Sequence, residues 1–207
     1  MTLPTFNEER SLWKKDYSFI SGIDEVGRGS FAGPLVTAAV IFPKNYNNRH
    51  GINDSKLLTP KQREEQSNII KQVAMCFSIS TISVSVINKV GIEKATQMGF
   101  RKSIKELSVM PDYVLIDAFK IKQFANTKQK AIIKGDRISV SIAAASIIAK
   151  VYRDSLMNTL HEKLPQYDFQ NNKGYGTNFH RKAIYELGLT KWHRTSFNLS
   201  KYINTKA

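Results

Sequence analysis

Apolar and polar positions along the chain fall into short blocks whose period changes repeatedly. Residues 17–23 (YSFISGI) and 34–42 (PLVTAAVIF) read as two strands on either side of a glycine-rich turn at 27–33, which is a hairpin pattern. Residues 43–58 are polar loop. Thr59-Pro60-Lys61-Gln62 then predicts a helix start, with Thr as N-cap, Pro at the first helical position and Gln closing a capping box, and a helix to about Lys71. From 76 to 86 apolar residues alternate with Ser and Thr, the period of a strand, and the phase flips between Thr81 and Ile82, which predicts a bulge or a strand end. Ile92, Thr96, Phe100, Ile104 and Leu107 recur at helical spacing. YVLI at 113–116 and AII at 131–133 are short buried strands, and Ile138, Ile142, Ala145, Ala149, Tyr152, Leu156 and Leu160 predict a long amphipathic helix. Residues 165–179 read as an aromatic-dotted loop before a last short helix at about 180–187. Three strands followed by strand–helix alternation predict an α/β fold, a mixed central sheet flanked by helices, over residues 17–164. Residues 1–16 form an N-terminal extension and 165–207 a C-terminal loop and helix segment.

Charge changes the picture. Lys and Arg number 31 against 17 Asp and Glu, a net charge of +14. An excess of that size favours a polyanionic partner, because each phosphate neutralised releases condensed counterions. Nucleic acid leads, with anionic membrane or ribosome association as the alternatives. The single cysteine, Cys76, excludes an internal disulfide framework and a multi-cysteine zinc site, and its apolar setting suits a small buried hydrophobe. No apolar run approaches the ~20 residues of a bilayer span. The first fifteen residues carry acids and lack the apolar stretch of a secretory signal, so a cytoplasmic protein is expected.

Four acids share a position: Asp24 and Glu25 after ISGI, Asp117 after YVLI, and Asp136 after AIIKG each follow an apolar run. Ends of neighbouring strands are where groups remote in sequence converge. Four converging carboxylates would repel one another unless a cation joined them, and oxygen-only ligands suit Mg²⁺ or Mn²⁺. Two such ions serve an in-line phosphodiester displacement, so a carboxylate nest in a basic protein has a physical logic. On spacing alone another reading stays open, since an acid at a strand end is often solvated and Asp136 could simply favour a helix N-terminus.

The wording around the acids is more specific. Ile23-Asp24-Glu25-Val26-Gly27-Arg28-Gly29 with Ala32-Gly33-Pro34-Leu35-Val36 resembles the opening motif of the ribonuclease HII family. Asn53-Asp54-Ser55-Lys56, Val114-Leu115-Ile116-Asp117, Lys134-Gly135-Asp136 and Ala144-Ala145-Ser146-Ile147-Ile148-Ala149-Lys150 with Arg153-Asp154 follow in order. Lys173-Gly174-Tyr175 with Thr177 and His180, and His193-Arg194 with Ser196-Phe197, complete the series, so the resemblance runs from about 18 to 200. It implies a ribonuclease-H-like fold in which Asp24, Glu25, Asp117 and Asp136 bind Mg²⁺ or Mn²⁺. It also implies an endonuclease that hydrolyses the RNA strand of RNA–DNA hybrids and cuts 5′ to ribonucleotides embedded in duplex DNA, leaving 3′-hydroxyl and 5′-phosphate ends. Such an enzyme removes ribonucleotides in DNA replication and repair and is expected to act as a monomer, with its C-terminal segment closing over the substrate.

By the same resemblance the Gly27-Arg28-Gly29 turn reads the 2′-hydroxyl, the group that distinguishes RNA from DNA, and Tyr175 stacks on the sugar at the RNA–DNA junction. Lys56, Ser146 and Lys150, with Asn53 and Ser55 beside them, look placed for phosphate contacts, Ser146 and Lys150 on one exposed helix face. Three departures stand out. Ser30 replaces a common Pro, Leu57 a common second Lys, and Gly176 a frequent Pro, which could loosen the loop that aims Tyr175. The sister type HIII has a different turn after its DEVG and usually an extra N-terminal domain, so Arg28 and the short N-terminus favour HII. His50, His161, His180 and His193 lack metal-ligand spacing and take no catalytic role, and Trp13 and Trp192 read as packing anchors. A DNA-cutting nuclease of the same fold would share the acids but has no use for a 2′-hydroxyl reader. In a non-catalytic nucleic-acid-binding protein the four acids would only hinder binding.

Overall fold

In the computed structural model, which describes residues 3–204, the first two apolar blocks form β1 (Ile20–Val26) and β2 (Leu35–Ile41), paired antiparallel from Ser21 opposite Ile41 to Val26 opposite Val36. The outermost residues of the predicted terminal segments, 1–2 and 205–207, lie outside the described range. β3 (Cys76–Ile82) adds antiparallel to β2. β4 (Tyr113–Asp117) runs parallel to β1 on its other side, and β5 (Gln129–Ile132) runs parallel to β4, giving the order β3-β2-β1-β4-β5. The alternating block ends where its phase flips. Ser83 there accepts a hydrogen bond from Val86 N and caps a short helix, α3 (Val84–Val90), so residues 84–86 leave the sheet. The fifth strand starts two residues earlier than its apolar run suggests, and Ile133 is left exposed.

β1 also outlasts its apolar run. Pairing with β2 continues to Val26, so Asp24 and Glu25 lie inside the strand rather than after it. On the β4 side the ladder stops at Ile23 beside Ile116. One residue further along this parallel register stand Asp24 and Asp117, which makes them neighbours.

α1 (Asn7–Trp13) buries Leu12 and Trp13, with Phe6 just before it, in the core on one face of the sheet. α2 (Pro60–Val73) carries the predicted capping box at Thr59 and Gln62. α4 (Ile92–Glu106) covers the opposite face, where Phe100 and Ile104 pack on Ile23, Ala39 and Ile116. The long helix α5 (Val140–Lys163) departs from the amphipathic expectation. Its first ten residues, Val140 to Ala149, are all buried, and only the later turns are one-sided. Small residues permit this: a side chain at Gly22 of β1 would overlap the Ser141 carbonyl of α5, so strand and helix backbones meet directly. At the start of α5 the buried Glu9 carboxylate accepts hydrogen bonds from Ser139 Oγ (2.7 Å) and Ser141 N (3.1 Å), joining α1 to a helix N-terminus.

The C-terminal stretch is more ordered than a loop. It holds a 3-10 turn (Pro165–Tyr167), α6 (Phe169–Asn172) and α7 (Asn178–Leu187), the last capped by Thr177 accepting from His180 N. Among the described residues no helix is long and apolar enough to cross a membrane.

Candidate active site

The register that sets Asp24 beside Asp117 is extended by one further bond: Gly135 N donates to Asp117 Oδ1 at 2.7 Å. This ties the end of β4 to the tight turn Gly135–Arg137, entered through Lys134 in the left-handed region (φ 56°), and brings Asp136 alongside. Asp24, Glu25 and Asp117 line one cleft. Asp136 is buried and does not line it; its Oδ2 accepts from Lys56 Nζ, a cleft residue, at 2.7 Å.

Asp24, Glu25 and Asp117 are each shifted by burial and by neighbouring acids. Burial raises the Asp24 carboxyl well above the usual range, with the charges of Glu25 and Asp117 adding and hydrogen bonds from Ser146 and from Glu25 N opposing. Burial also lifts Glu25 to about 7, against the pull of Arg28 and with the push of Asp117. Asp117 is raised by burial and by Asp136, in part offset by the Gly135 amide. Among the described residues no three acidic, histidine or cysteine side chains form a closed metal-binding group. The acids form a row of neighbours whose mutual repulsion Lys56 and Arg28 offset in part. The donor set still fits a hard divalent cation. It is all oxygen, Glu25 Oε2 is buried with no hydrogen-bond partner, and the Lys56 ammonium already sits as a cation on Asp136.

The remaining sequence-predicted residues divide. Gly27, Arg28, Gly29, Ser55, Lys56, Ser146, Lys150 and Tyr175 all line the cleft. Asn53 does not; its Oδ1 accepts from Asp54 N at 2.8 Å within the loop. Ser146 is buried rather than on an exposed face, and its hydroxyl meets Ser55 Oγ at 3.0 Å, because this part of α5 is enclosed on all sides. Lys150 lies half-buried and pairs with Asp154 at 2.7 Å.

Sequence reasoning missed the residues that shape the cleft from behind. Asp54 is buried; one carboxylate oxygen caps Lys56 N (2.9 Å) and the other accepts from Arg137 Nε (3.0 Å). Arg63, a cleft residue, donates to Ser55 O (3.0 Å) and Leu58 O (2.8 Å). Nothing in the sequence separates Arg63 from its neighbours on α2, whereas Asp54 sits inside a quoted motif block without a role.

Two fully buried guanidiniums hold the turn between β1 and β2. Arg153 donates to Pro34 O (2.9 Å), Lys173 O (2.9 Å), Ser30 Oγ (2.9 Å) and Ala32 O (3.2 Å). Arg194 donates to Arg28 O (2.9 Å) and twice to Gly33 O (3.0 and 2.9 Å). Gly27 and Gly33 have φ of 90° and 81°, and a side chain at either would strike Arg153 or Met157. Ser30 fits its position by donating to Gly27 O (3.0 Å) while accepting from Arg153. The Arg28 guanidinium lies 4.3 Å over the Phe119 ring. Tyr175 follows Gly174, whose carbonyl accepts from Phe31 N (2.8 Å) and Ala32 N (3.2 Å). Gly176 lies against the Phe31 ring, in space a side chain would need. Leu57 is exposed at the end of the 3-10 turn Ser55–Leu57.

Acidic side chains brought together by parallel strand register in the α/β sheet of a basic protein, beside a glycine turn braced for close approach, define the class: a carboxylate-centred hydrolase of nucleic acid. The family model described as "Ribonuclease HII" matches residues 21–200. The protein named Ribonuclease HII in Syntrophus aciditrophicus (strain SB) is 45% identical over 191 residues, spanning 92% of this chain and 89% of its own length. The ribonuclease H2 structure from Pyrococcus horikoshii OT3 superposes with a TM-score of 0.75 at 22% identity, covering 88% of this chain and 95% of that one. The structure of Bst-RNase HIII in complex with Mn²⁺ gives 0.70 at 19%, covering 90% and 69%. At such identities the two structures speak for the fold. This chain belongs to the ribonuclease HII family and is an endoribonuclease.

Proposed function

We propose that the chain hydrolyses the RNA strand of RNA–DNA hybrids and cuts duplex DNA on the 5′ side of an embedded ribonucleotide, leaving 3′-hydroxyl and 5′-phosphate ends, in the service of DNA replication and repair. The observation that carries the reading is the β1/β4 register, which makes neighbours of Asp24 and Asp117 beside the braced Gly27-Arg28-Gly29 turn. Asp24, Glu25, Asp117 and Asp136 would hold Mg²⁺ or Mn²⁺. Two such ions supply charge neutralisation and Lewis acidity for an in-line displacement at phosphorus.

The chain's own residues do the rest. Lys56 and Lys150, ammonium groups at the cleft wall, meet the phosphates flanking the cut, and Ser55 and Ser146 stand beside them as hydroxyl donors. The backbone of the Gly27–Gly29 turn meets the ribose 2′-hydroxyl. Gly29 has open space where a side chain would stand, so the sugar can come close. Tyr175, partly exposed, offers its ring to the next sugar, and the segment from 165 onward closes over the duplex.

The test is a DNA duplex carrying one ribonucleotide, incubated with and without divalent metal, with the cut position mapped. A cut 5′ to the ribonucleotide that chelation abolishes is expected. An all-DNA duplex cut as fast, or cleavage that survives chelation, overturns the reading.

A further inference from the structure

His180 and His193 take no part in the chemistry above, yet both are fully buried and their Nε2 atoms lie 3.1 Å apart. Their partners dictate where the protons are. Thr190 N can only donate and points at His193 Nδ1 (2.9 Å), so that nitrogen is bare and the proton sits on Nε2. Tyr175 O can only accept and lies 2.9 Å from His180 Nδ1, so His180 carries its proton there and presents a bare Nε2. His193 Nε2–H therefore donates to His180 Nε2. One proton on each ring satisfies every bond, and a third would set two N–H groups against each other.

The pair joins two parts of the cleft. His193 bridges to Ala32, and Arg194 N donates to Phe31 O at 2.7 Å, both in the Gly27–Gly33 turn. The far end is the peptide of Tyr175. Tyr167, Phe169 and Phe31 wall the pair with their rings. The Tyr167 hydroxyl is engaged with Gly188 O. Charged groups on the same elements turn elsewhere. Arg194 faces Gly33 O and Arg28 O, Asp168 accepts from Asn171, Arg181 lies over Tyr202, and Arg153 sits 5.7 Å from the Tyr175 ring. Among the described residues no carboxylate acts on either ring to stabilise an imidazolium, and burial lowers both histidines, His193 to about 4.

We propose that His180 and His193 are positioning residues for ribonucleotide recognition: their single directed run of hydrogen bonds fixes the Tyr175 peptide against the turn that reads the ribose. This rests on the reading of Tyr175 as a substrate contact, and the experiment separates the two.

Side-chain ¹⁵N spectra of the intact protein at neutral pH are expected to find His180 as the Nδ1–H tautomer and His193 as Nε2–H; the reverse, or two like tautomers, overturns the proposal. In kinetics, His193→Phe keeps the volume but removes the donor, whereas His193→Gln keeps a neutral donor at the same depth. On a duplex with one ribonucleotide, His193→Phe should lower kcat/KM about tenfold, the scale of one lost buried hydrogen bond, and His193→Gln should restore most of it. Added to Tyr175→Ala, His193→Phe should cost little more. An equal tenfold loss in both backgrounds would make the pair mere scaffolding and overturn the proposal. If Tyr175→Ala alone costs nothing, it is the role of Tyr175 that fails. Should His193→Phe not fold, the tautomers and the His193→Gln variant still decide.

Discussion

At Asp24 the proposed chemistry would be held at a cost in stability. Its carboxylate is buried beside two other acids, and hydrogen bonds from Ser146 and from the Glu25 amide favour its charge against that burial. Asp24→Asn removes the repulsion and keeps the shape. Cleavage should fall by more than about a hundredfold while hybrid binding persists, and the melting temperature should rise by roughly 2–4 °C. Unchanged turnover would remove Asp24 from the site, and a lowered melting point would contradict the electrostatics. At Arg28 the expectation differs. Arg28→Ala takes a positive charge from beside Glu25 and should reduce preference for a single embedded ribonucleotide by about tenfold, read as the ratio of rates on that duplex and on a long hybrid, in which an effect on the acids common to both substrates cancels.

Elements explain why some of this was legible in the sequence and some was not. β3 was legible because its outer face is half-covered, so burial alternates residue by residue, and α2 because Thr59 and Gln62 declare its start. The nature of α5 was not. Periodicity marks one covered face, and the ten buried residues from Val140 carry Ser and Ala on every side because Gly22 lets the sheet come to the backbone. Asp24 and Asp117 could be picked out as residues that follow apolar runs, but their adjacency depends on a register no local pattern states. Arg153 and Arg194 hid for a third reason: arginine reads as surface, and only carbonyls gathered from residues 28–34 and 173 make its burial tolerable. Two substitutions test these devices. Gly22→Ala should destabilise by about 3 kcal/mol or more in urea, since neither backbone can yield cheaply. Ser30→Ala should cost about 1–2 kcal/mol by leaving Arg153 one acceptor short. A silent Gly22→Ala would mean that α5 does not ride on β1.

Across the whole molecule, pH and salt report different things. His193 has its folded value depressed to about 4, so between about 6.5 and 4 the unfolded chain binds the extra proton and this contribution to stability shrinks as pH falls. Glu9, raised by burial, acts in the opposite sense, binding its proton more readily when folded. The two are separated by difference: the stability advantage of the wild type over His193→Gln should decline as pH falls from 6.5 to 4, and an advantage that grows would reverse the assignment. The net charge of +14 predicts that hybrid affinity falls steeply with salt, as a straight line in log–log form, and a flat response would mean that few phosphates are contacted.

The Arg194 brace also orders events in time. Its acceptors, Gly33 O and Arg28 O, precede it by 161 and 166 residues. A nascent chain can have its first hairpin paired and its acids in line long before position 194 leaves the ribosome. The glycine turn therefore passes through the synthesis of 161 further residues without this brace, and its final shape is set by a contact between segments made far apart in time rather than by the hairpin itself.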